Sequence, residues 1–516
     1  MRTEITRADF VRLGLAVATA PLLQRVARAA AAAAAELAIM QTEAPRSMDP
    51  ADQTATLTSG VLSPMYEGLT KFDENRQPGP SLATAWKTDD AGTNWSFDLR
   101  PGVKFHDGTP CDADAVAASF QRHLDTQRGL ASSGRFRAVI ADVRANGAGV
   151  VFTLKSPYPA MLRLLATANA SVVSPTADKT GTLGRKAVGT GPFRFVEWAS
   201  GQYVRQEANP DYWGAKPSLA ALKWTWTAEP GVMNMAVHTG DADIVNPLPP
   251  AFAGQLKSQW KIGLQNHDGS AVYWVSLNTQ MKPLDDVRVR QALNYATDRA
   301  ALVRSLLFGY ATPANSPLAP VDLFYDASQP GYPYDPDKAK ALLREAGVPD
   351  GFSMNVAVQA PQSNIAEALQ GMWANVGVKL DVLRMESGVW VQAAFGDPEQ
   401  KAKQGLFSAL ASWSTGFIDP DQQFRPLYGS KNWSPTGPNL GFYKNDTLDA
   451  LLDRAAATMD PAQRQPMYVQ AQKIVVDDAP HVLLYIPKDL AAIRSDVQGV
   501  WMLPGGQLIV SSARRA

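Results

Sequence analysis

Residues 188–214 read VGTGPFRFVEWASGQYVRQEANPDYWG and join a glycine-rich turn to an alternating aromatic segment. The apolar and polar residues alternate from Phe193 to Trp198, which predicts a β-strand. A phosphate-binding loop would instead open a helix and carry a Lys-Ser or Lys-Thr pair, and this segment has neither. Residues 209–211, Asn-Pro-Asp, predict a turn. We expect the rings of Tyr212 and Trp213, which follow it, to pack against a neighbouring element.

Length and composition predict a globular protein with more than one compact unit. The chain has 516 residues, of which 45% are hydrophobic. It carries 49 basic and 49 acidic residues, so no long-range field favours nucleic acid or an anionic membrane. Cys111 is the only cysteine, which excludes an intramolecular disulfide. His106 lies nearby, but the turn residues between the two favour a packing role for Cys111 over a catalytic or metal-binding one.

The first 35 residues predict a cleavable export signal. Basic residues precede a short apolar run, 13–23, which is far below the roughly 20 residues that span a bilayer. Residues 6–12 fit a twin-arginine-like pattern, but Ala8 stands where the second arginine would be, so the export route stays open. The alanines at 29–35 offer cleavage sites; the alternative is an alanine-rich helix kept in the mature protein. No cysteine near residues 20–36 could carry a lipid, which favours a free periplasmic protein.

Helix and strand signals alternate through the rest of the chain. Asp286 can cap one helix, and Asp335 with Pro336 can start another that ends at Gly347. Strand-like segments lie between the helices at 271–277, 353–358, 378–383 and 482–486. This alternation predicts an α/β architecture with mixed sheets. A helix predicted from Pro461 contains Pro466, which we expect to kink or restart it.

The segment 188–214 resembles a signature of the extracytoplasmic solute-binding proteins of family 5, the peptide and nickel type. Members of this family capture a ligand outside the inner membrane for an ABC importer. Four more segments follow in the family's order: MYEGLTKFDENRQPGPSLATAW (65–86), WSFDLRPGVKFHDGTPCDADAVAASFQR (95–122), VSLNTQMKPLDDVRVRQALNYATDRAALV (275–303) and YDPDKAKALLREAG (334–347). The resemblance runs from about residue 37 to about 510 and is specific, because five ordered matches occur at family-like spacing.

The resemblance implies a two-lobed periplasmic-binding-protein fold of type II, cluster C, with a hinge between the lobes. Lobe one would comprise 37–72, 187–275 and 485–516, lobe two would span 276–484, and an extra domain, 73–186, would sit on lobe one. A ligand would bind in the cleft and stabilise the closed state by contacting both lobes. The protein would be a periplasmic monomer without a cofactor, and its partners would be an ABC permease and its ATPase subunits.

The resemblance also places a Trp-containing cleft loop at residues 412–420. With the register fixed on Asp419 and Pro420, the aspartate that dipeptide and oligopeptide binders use for the ligand's α-ammonium falls on Gly416. The arginine that grips the carboxylate of a dipeptide falls near Gln359 or Ala360. A charge pair about 4 Å apart is worth on the order of 4 kcal/mol at an effective dielectric near 20, so we expect weak selection of zwitterionic dipeptides.

Twelve residues are candidate ligand contacts. Three follow the first strand, two end another strand, five are aromatic and two belong to the cleft loop: Thr42, Glu43, Arg46, Arg384, Glu386, Tyr273, Trp274, Trp390, Trp413, Phe417, Gly416 and Asp419. Each has an alternative role, because charged residues at strand ends are usually solvated and aromatic residues usually fill cores.

The function predicted from the sequence is that of the periplasmic substrate-binding subunit of an ABC importer for a peptide or peptide-like solute. Oligopeptides, opine-like conjugates, oligosaccharides and metal chelates remain open as ligands, and so does a role as a ligand sensor. A secreted hydrolase is disfavoured because the five histidines form no i, i+4 pair and no His-Glu-x-x-His or Gly-x-Ser-x-Gly motif occurs. The acid pairs Asp419/Asp421 and Asp241/Asp243 predict solvated turns rather than acid–base or calcium sites.

Overall fold

The structure is a computed structural model that describes residues 36–256, 261–416 and 418–516. The predicted export signal, 1–35, lies outside the described residues. The strands are β1 Glu36–Gln41, β2 Thr70–Phe72, β3 Pro78–Pro80, β4 Ala83–Thr88, β5 Asn94–Leu99, β6 Ile140–Asn146, β7 Gly149–Leu154, β8 Phe193–Ala199, β9 Tyr203–Ala208, β10 Ala221–Trp226, β11 Ile244–Val245, β12 Ile262–Asp268, β13 Val272–Leu277, β14 Ala311–Pro313, β15 Phe352–Gln359, β16 Val378–Met385, β17 Ser408–Trp413, β18 His481–Arg494, β19 Val497–Gln498, β20 Trp501–Leu503, β21 Gln507–Ile509 and β22 Arg514–Arg515.

The helices of the described residues are α1 Thr56–Leu62, α2 Ala113–Leu124, α3 Ser133–Val139, α4 Met161–Leu165, α5 Pro175–Lys179, α6 Pro230–Thr239, α7 Pro250–Leu256, α8 Val287–Tyr295, α9 Arg299–Leu306, α10 Pro336–Glu345, α11 Ser363–Ala374, α12 Ser387–Ala394, α13 Pro398–Gln404, α14 Asp421–Tyr428, α15 Asp446–Ala457 and α16 Pro461–Asp478.

A twelve-stranded mixed sheet runs through the molecule, which confirms the predicted α/β class. Its order is β16-β15-β17-β13-β18-β11-β1-β10-β9-β8, and β12 and β14 also pair with β18. We call the part built on β1 and β8–β12 the first lobe, and the part built on β13–β17 the second lobe. The long strand β18 belongs to both, because its first half pairs with β13 and β14 and its second half with β11 and β12.

A second chain crossing lies beside β18 and forms a hinge with it. Strand β12 ends at Asp268 and β13 starts at Val272, so residues 269–271 pass from the first lobe to the second. A side chain on Gly269 would collide with the carbonyl oxygen of Pro487 in β18, which requires glycine there. An ion pair between Lys488 and Asp268 ties the two crossings together.

The segment 188–214 folds as predicted. Strand β8 starts at Phe193, after two glycines on which a side chain would strike the carbonyl oxygens of Met65 and Pro64. The glycines therefore allow a close approach of two backbones and do not cradle a phosphate.

The aromatic turn that ends this segment is anchored on a half-buried carboxylate. The Tyr212 hydroxyl and the Trp213 indole N–H donate to Glu67 at 2.8 and 2.7 Å, and the Thr190 hydroxyl donates at 2.8 Å. Burial raises the pKa of Glu67, and these three donors oppose the shift. The expected packing of Tyr212 and Trp213 against a neighbouring element is thus confirmed.

A separate four-stranded sheet, β4-β5-β7-β6, is covered by α2 and α3. The ring of Phe120 meets those of Phe136 and Phe152 edge-on, with centroids 6.3 and 4.8 Å apart. Cys111 is buried at the edge of the same core, and burial raises its pKa to about 12, so the thiolate is disfavoured and the residue packs as a small apolar group.

Two local expectations differ from the structure. The helix Pro461–Asp478 continues through Pro466 and does not restart there, because a single lost amide donor near its start leaves the remaining bonds of an 18-residue helix in place. The strand predicted at 482–486 extends to 14 residues, since each half of β18 finds partners in a different lobe.

Candidate functional site

Two adjoining cavities lie between the lobes, and together we call them the cleft. The larger has a volume of about 320 Å³ and the smaller about 280 Å³. Both are lined by Arg135 of the helix α3 and by Ser414 and Gly416, which follow β17 in the second lobe. Because residues from both sides line the same space, a solute bound there would touch both lobes.

Arg135 is the charged residue of the cleft. Helix α3 buries Phe136 in the core and thereby leaves the neighbouring Arg135 on its open face. The guanidinium forms no ion pair or hydrogen bond with any described residue. The side chain is still exposed to solvent, but partial desolvation by the cleft walls lowers the pKa of Arg135, and the nearby Tyr158 opposes this shift. Among the described residues that line the two cavities there is no carboxylate, so the cleft carries uncompensated positive charge.

Neutral polar groups make up much of the remaining surface. Hydroxyls and amides line the cleft at Thr54, Thr56, Ser59, Tyr158, Asn169, Ser270, Ser414, Gln422 and Gln507. The hydroxyls of Ser270, in the hinge, and Ser414, in the cleft loop, are hydrogen-bonded at 2.8 Å. Asn169 is held by two bonds of 2.8 Å to the carbonyls of Pro50 and Gln53. Such groups suit the backbone amides and carbonyls of a peptide-like ligand.

The lobes are shut over the cleft. Ile418 of the second lobe is 5% exposed and packs within the first lobe's apolar core. A β-carbon on Gly92, beside the four-stranded sheet, would lie 2.7 Å from the Met459 sulfur of the second lobe. Burial and the negative charges of Asp419 and Asp421 raise the pKa of Tyr158, because second-lobe carboxylates lie close to its hydroxyl.

Two of the four candidate residues in the predicted cleft loop line the cleft. Trp413 is half-buried, and its indole N–H donates to the Gln422 carbonyl at 2.7 Å. Gly416 adopts a left-handed conformation with φ of 59°, and a β-carbon there would meet only the Ile418 side chain, at 3.9 Å. Phe417 lies outside the described residues.

Asp419, the fourth loop candidate, binds another residue of the protein and does not face the cleft. Its two carboxylate oxygens accept from Arg464 at 2.9 and 2.8 Å, and its side chain is 3% exposed. It lines neither cavity, so the residue that sets the register of the loop is part of a buried ion pair.

The remaining candidates also lie away from both cavities. Tyr273 stacks on Tyr485 with centroids 4.8 Å apart, and Trp274 stacks on His481 at 4.1 Å within the second lobe. The buried Trp390 donates to the Ala357 carbonyl at 3.2 Å.

The charged candidates lie on the surface. Arg384 pairs with Glu367, and Glu386 is exposed just before α12. Thr42 and Glu43 are half-buried, and Arg46, which is exposed, lies 3.7 Å from Glu43. A role of these residues in ligand contact stays a prediction.

The sequence analysis missed Arg135 and the hydroxyls at 54–59. These residues lie far apart in the chain and far from the Trp-containing loop, and they belong to no short motif. One available signal was the position of Arg135 next to the buried Phe136 at the start of a short helix, which predicts an outward side chain but not what it faces.

The described residues contain no group of three or more His, Cys, Asp or Glu side chains placed to hold a metal ion. Over the same residues, no helix has the length and apolarity that crossing a membrane requires.

Comparison with known proteins gives a consistent result. A family model described as "Bacterial extracellular solute-binding proteins, family 5 Middle" matches residues 77–435. The glutathione-binding protein GsiB of Escherichia coli K12 is 31% identical over 510 residues, which cover 98% of each chain.

Solved structures share the fold over nearly the whole length. HbpA2 from Haemophilus parasuis is 27% identical with a TM-score of 0.84, covering 93% of this chain and 100% of that one. A dipeptide-binding protein from Pseudoalteromonas sp. SM9913, solved with Met-Leu, is 26% identical with a TM-score of 0.75 and the same coverage.

Proposed function

Because this chain belongs to the bacterial extracellular solute-binding proteins of family 5, we propose that it captures an anionic, peptide-like solute between its lobes for an ABC importer. Arg135 carries this proposal. The Arg135 guanidinium faces the cleft without a counter-ion among the described residues, and a ligand carboxylate is the group that would pair with it most strongly. The absence of carboxylates among the described lining residues disfavours a ligand recognised through its ammonium group.

Glutathione is the leading candidate ligand. It carries more carboxylates than ammonium groups, and its amides match the hydroxyl-rich walls. The curated relatives with about 31–32% identity over 98% of the chain are named as glutathione-binding proteins. The two cavities, about 320 and 280 Å³, together fall within the range of roughly 300–1,000 Å³ that small-molecule sites occupy.

The cellular setting belongs to the same proposal. We propose that residues 1–35 direct export, that the mature protein acts in the periplasm as a monomer, and that it delivers its ligand to a permease and ATPase. We also propose lobe boundaries close to those expected from the sequence, with crossings at 268–272 and near Pro487, where the strand pairing changes lobe.

We further propose that the protein returns its ligand chemically unchanged. Mass spectrometry of glutathione after prolonged incubation with the protein would detect cleavage or transfer, and any enzyme-dependent product would contradict this part of the proposal.

Titration calorimetry with the purified protein tests the ligand class. The panel comprises glutathione, the dipeptide Met-Leu, an opine, a neutral oligosaccharide and a nickel–histidine chelate. We expect glutathione to bind most tightly and to stabilise the fold by about 2.7 kcal/mol at one hundred times its Kd. Tighter binding of the neutral oligosaccharide or of Met-Leu would overturn the proposal.

A further inference from the structure

A third cavity adjoins the cleft between the first lobe and the segment 166–171 that follows α4, and we call it the side chamber. Its volume is about 550 Å³. Six residues line both the side chamber and the larger cleft cavity: Phe72, Ala166, Thr167, Ala168, Leu503 and Gln507. The two spaces are thus separated by no more than one layer of side chains, three of which are alanine or threonine.

The far end of the side chamber reaches the surface. Lys71, Glu74, Ala215 and Ser512 line it and are exposed, although the lobes are shut over the cleft. A ligand longer than the cleft could therefore place one arm in the side chamber without holding the lobes apart.

The chemistry of the side chamber differs from that of the cleft. Its walls include the rings of Phe72, Tyr212, Trp213 and Trp501, which favour an apolar or aromatic group. The charged residue deepest in it is the half-buried Glu67, whose oxygens already accept three hydrogen bonds, and Lys71, Asp73 and Glu74 line its exposed end. Three acidic side chains and one lysine line the side chamber, so a ligand carboxylate is disfavoured there, whereas Arg135 attracts one in the cleft.

One buried polar atom in the side chamber has no partner. The Ser81 side chain is 1% exposed, lines the side chamber, and its hydroxyl hydrogen-bonds to no other group in the described residues. A buried hydroxyl without a partner is uncommon in folded proteins and is satisfied when a bound group supplies one.

We propose that the side chamber is an extension of the ligand site and takes an uncharged, largely apolar arm of the ligand. This inference rests on the proposed function. It names as ligand class a glutathione-like peptide conjugated to an apolar group, with the peptide carboxylates near Arg135. A conjugate at the thiol sulfur has this layout, with an acidic peptide and one apolar branch.

The test compares three ligands by titration calorimetry: glutathione, S-benzylglutathione, and S-(4-carboxybenzyl)glutathione, which adds a carboxylate to the same arm. We expect S-benzylglutathione to bind at least as tightly as glutathione, and the carboxylated arm to bind at least tenfold more weakly than the benzyl arm. Equal affinities of the two benzyl ligands, or benzyl binding more than tenfold weaker than glutathione, would overturn the proposal.

Two variants fill the side chamber from different walls, Ser171→Phe and Ser511→Phe, since both serines line it and neither lines the cleft. We expect each to weaken S-benzylglutathione at least tenfold and to change glutathione binding less than twofold. Ser495→Phe is the matched control, because Ser495 is an exposed serine of the first lobe that lines none of these cavities. Unchanged benzyl affinity in both filled variants would refute the extension.

Glutathione itself separates the two proposals. If glutathione fails to bind the unmodified protein, the proposed function is wrong in its ligand. If glutathione binds and the S-benzyl series or the filled variants behave contrary to expectation, only the side chamber proposal fails.

Discussion

Replacing Arg135 by alanine removes the charge on which the proposed ligand recognition depends. A guanidinium and a carboxylate about 4 Å apart attract by roughly 4 kcal/mol at an effective dielectric near 20. Part of this attraction is offset by desolvation of both charges, because Arg135 is still exposed to solvent in the closed structure and loses that solvent when the ligand carboxylate binds. We therefore expect Arg135→Ala to cost about 2–3 kcal/mol of binding, a roughly 30- to 150-fold increase in Kd.

The same substitution is expected to leave the fold intact. Arg135 is exposed and makes no hydrogen bond or ion pair with a described residue, so its loss breaks no contact that holds the closed structure. We expect the midpoint of thermal unfolding without ligand to stay within about 1 °C, since substitutions of this kind change stability by less than about 0.5 kcal/mol. Calorimetry and differential scanning fluorimetry on one preparation measure both quantities.

Two control variants sharpen the test. Arg135→Lys keeps the charge but loses the planar fork that binds a carboxylate at two points, so we expect an intermediate affinity. Arg137→Ala removes the same charge two residues along α3, where the side chain donates to the His123 carbonyl at 3.2 Å and does not line the cleft. Glutathione affinity within twofold of wild type for Arg135→Ala would refute the role of Arg135, whatever Arg137→Ala does.

Three further predictions address the cleft loop, the buried ion pair and the hinge. The structure has room for a side chain at Gly416, so we expect Gly416→Asp to supply a carboxylate and to tighten Met-Leu binding at least tenfold. The left-handed backbone there costs about 1 kcal/mol of folding stability for a residue other than glycine. Unchanged Met-Leu affinity by calorimetry would contradict the loop register. Arg464→Met leaves the buried Asp419 carboxylate without its ion-pair partner, so we expect the free energy of unfolding in urea to fall by about 3–5 kcal/mol. A fall below about 1 kcal/mol would contradict the importance of this ion pair. Burial raises the folded-state pKa of Asp489, beside the hinge, to about 6. The unfolded chain therefore releases this proton at lower pH than the folded protein, and the free energy of unfolding falls as pH rises from about 4 to 6. Asp489→Asn should flatten this slope in urea unfolding measured against pH, and an unchanged slope would exclude Asp489 as its source.

Local signals in the sequence predicted the local structure. The Asp286 and Asp335 side chains accept from backbone amides at 2.8 and 2.9 Å at the starts of α8 and α10, as their positions before apolar-periodic segments predict. Strand β8 likewise begins where the alternation begins. Each of these features depends on residues within one turn or one strand, so the neighbouring residues in the sequence suffice to predict it.

The cleft could not be predicted in the same way, because it is assembled by long-range topology. Trp274 in β13 and Trp390 in helix α12 are large aromatic residues, as Trp413 is, but both are buried in the second lobe's core. Trp274 stacks there on His481, and Trp390 donates to the Ala357 carbonyl. Arg135 and Ser414 meet although nearly 280 residues separate them, and no pattern in either segment encodes the meeting. The family resemblance supplied the Trp-containing loop but not the opposite wall.

The closed structure also bears on how a ligand would control the lobes. Burial of Ile418 in the first lobe's core contributes about 1.5–3 kcal/mol toward closure, independent of any solute. The charge of Arg135 works weakly against closure, because the cleft walls take away part of its solvent, as its lowered pKa reflects, without giving it a partner among the described residues. A ligand carboxylate cancels that penalty only when the loop that carries Gly416 and Ser414 has closed over the ligand. Arg135 therefore both selects the ligand and makes the ligand bind the closed state more tightly than the open one. A neutral solute that fills the cleft without pairing with Arg135 leaves the penalty in place, so selection of the ligand and the ligand-dependent part of closure rest on the same charge.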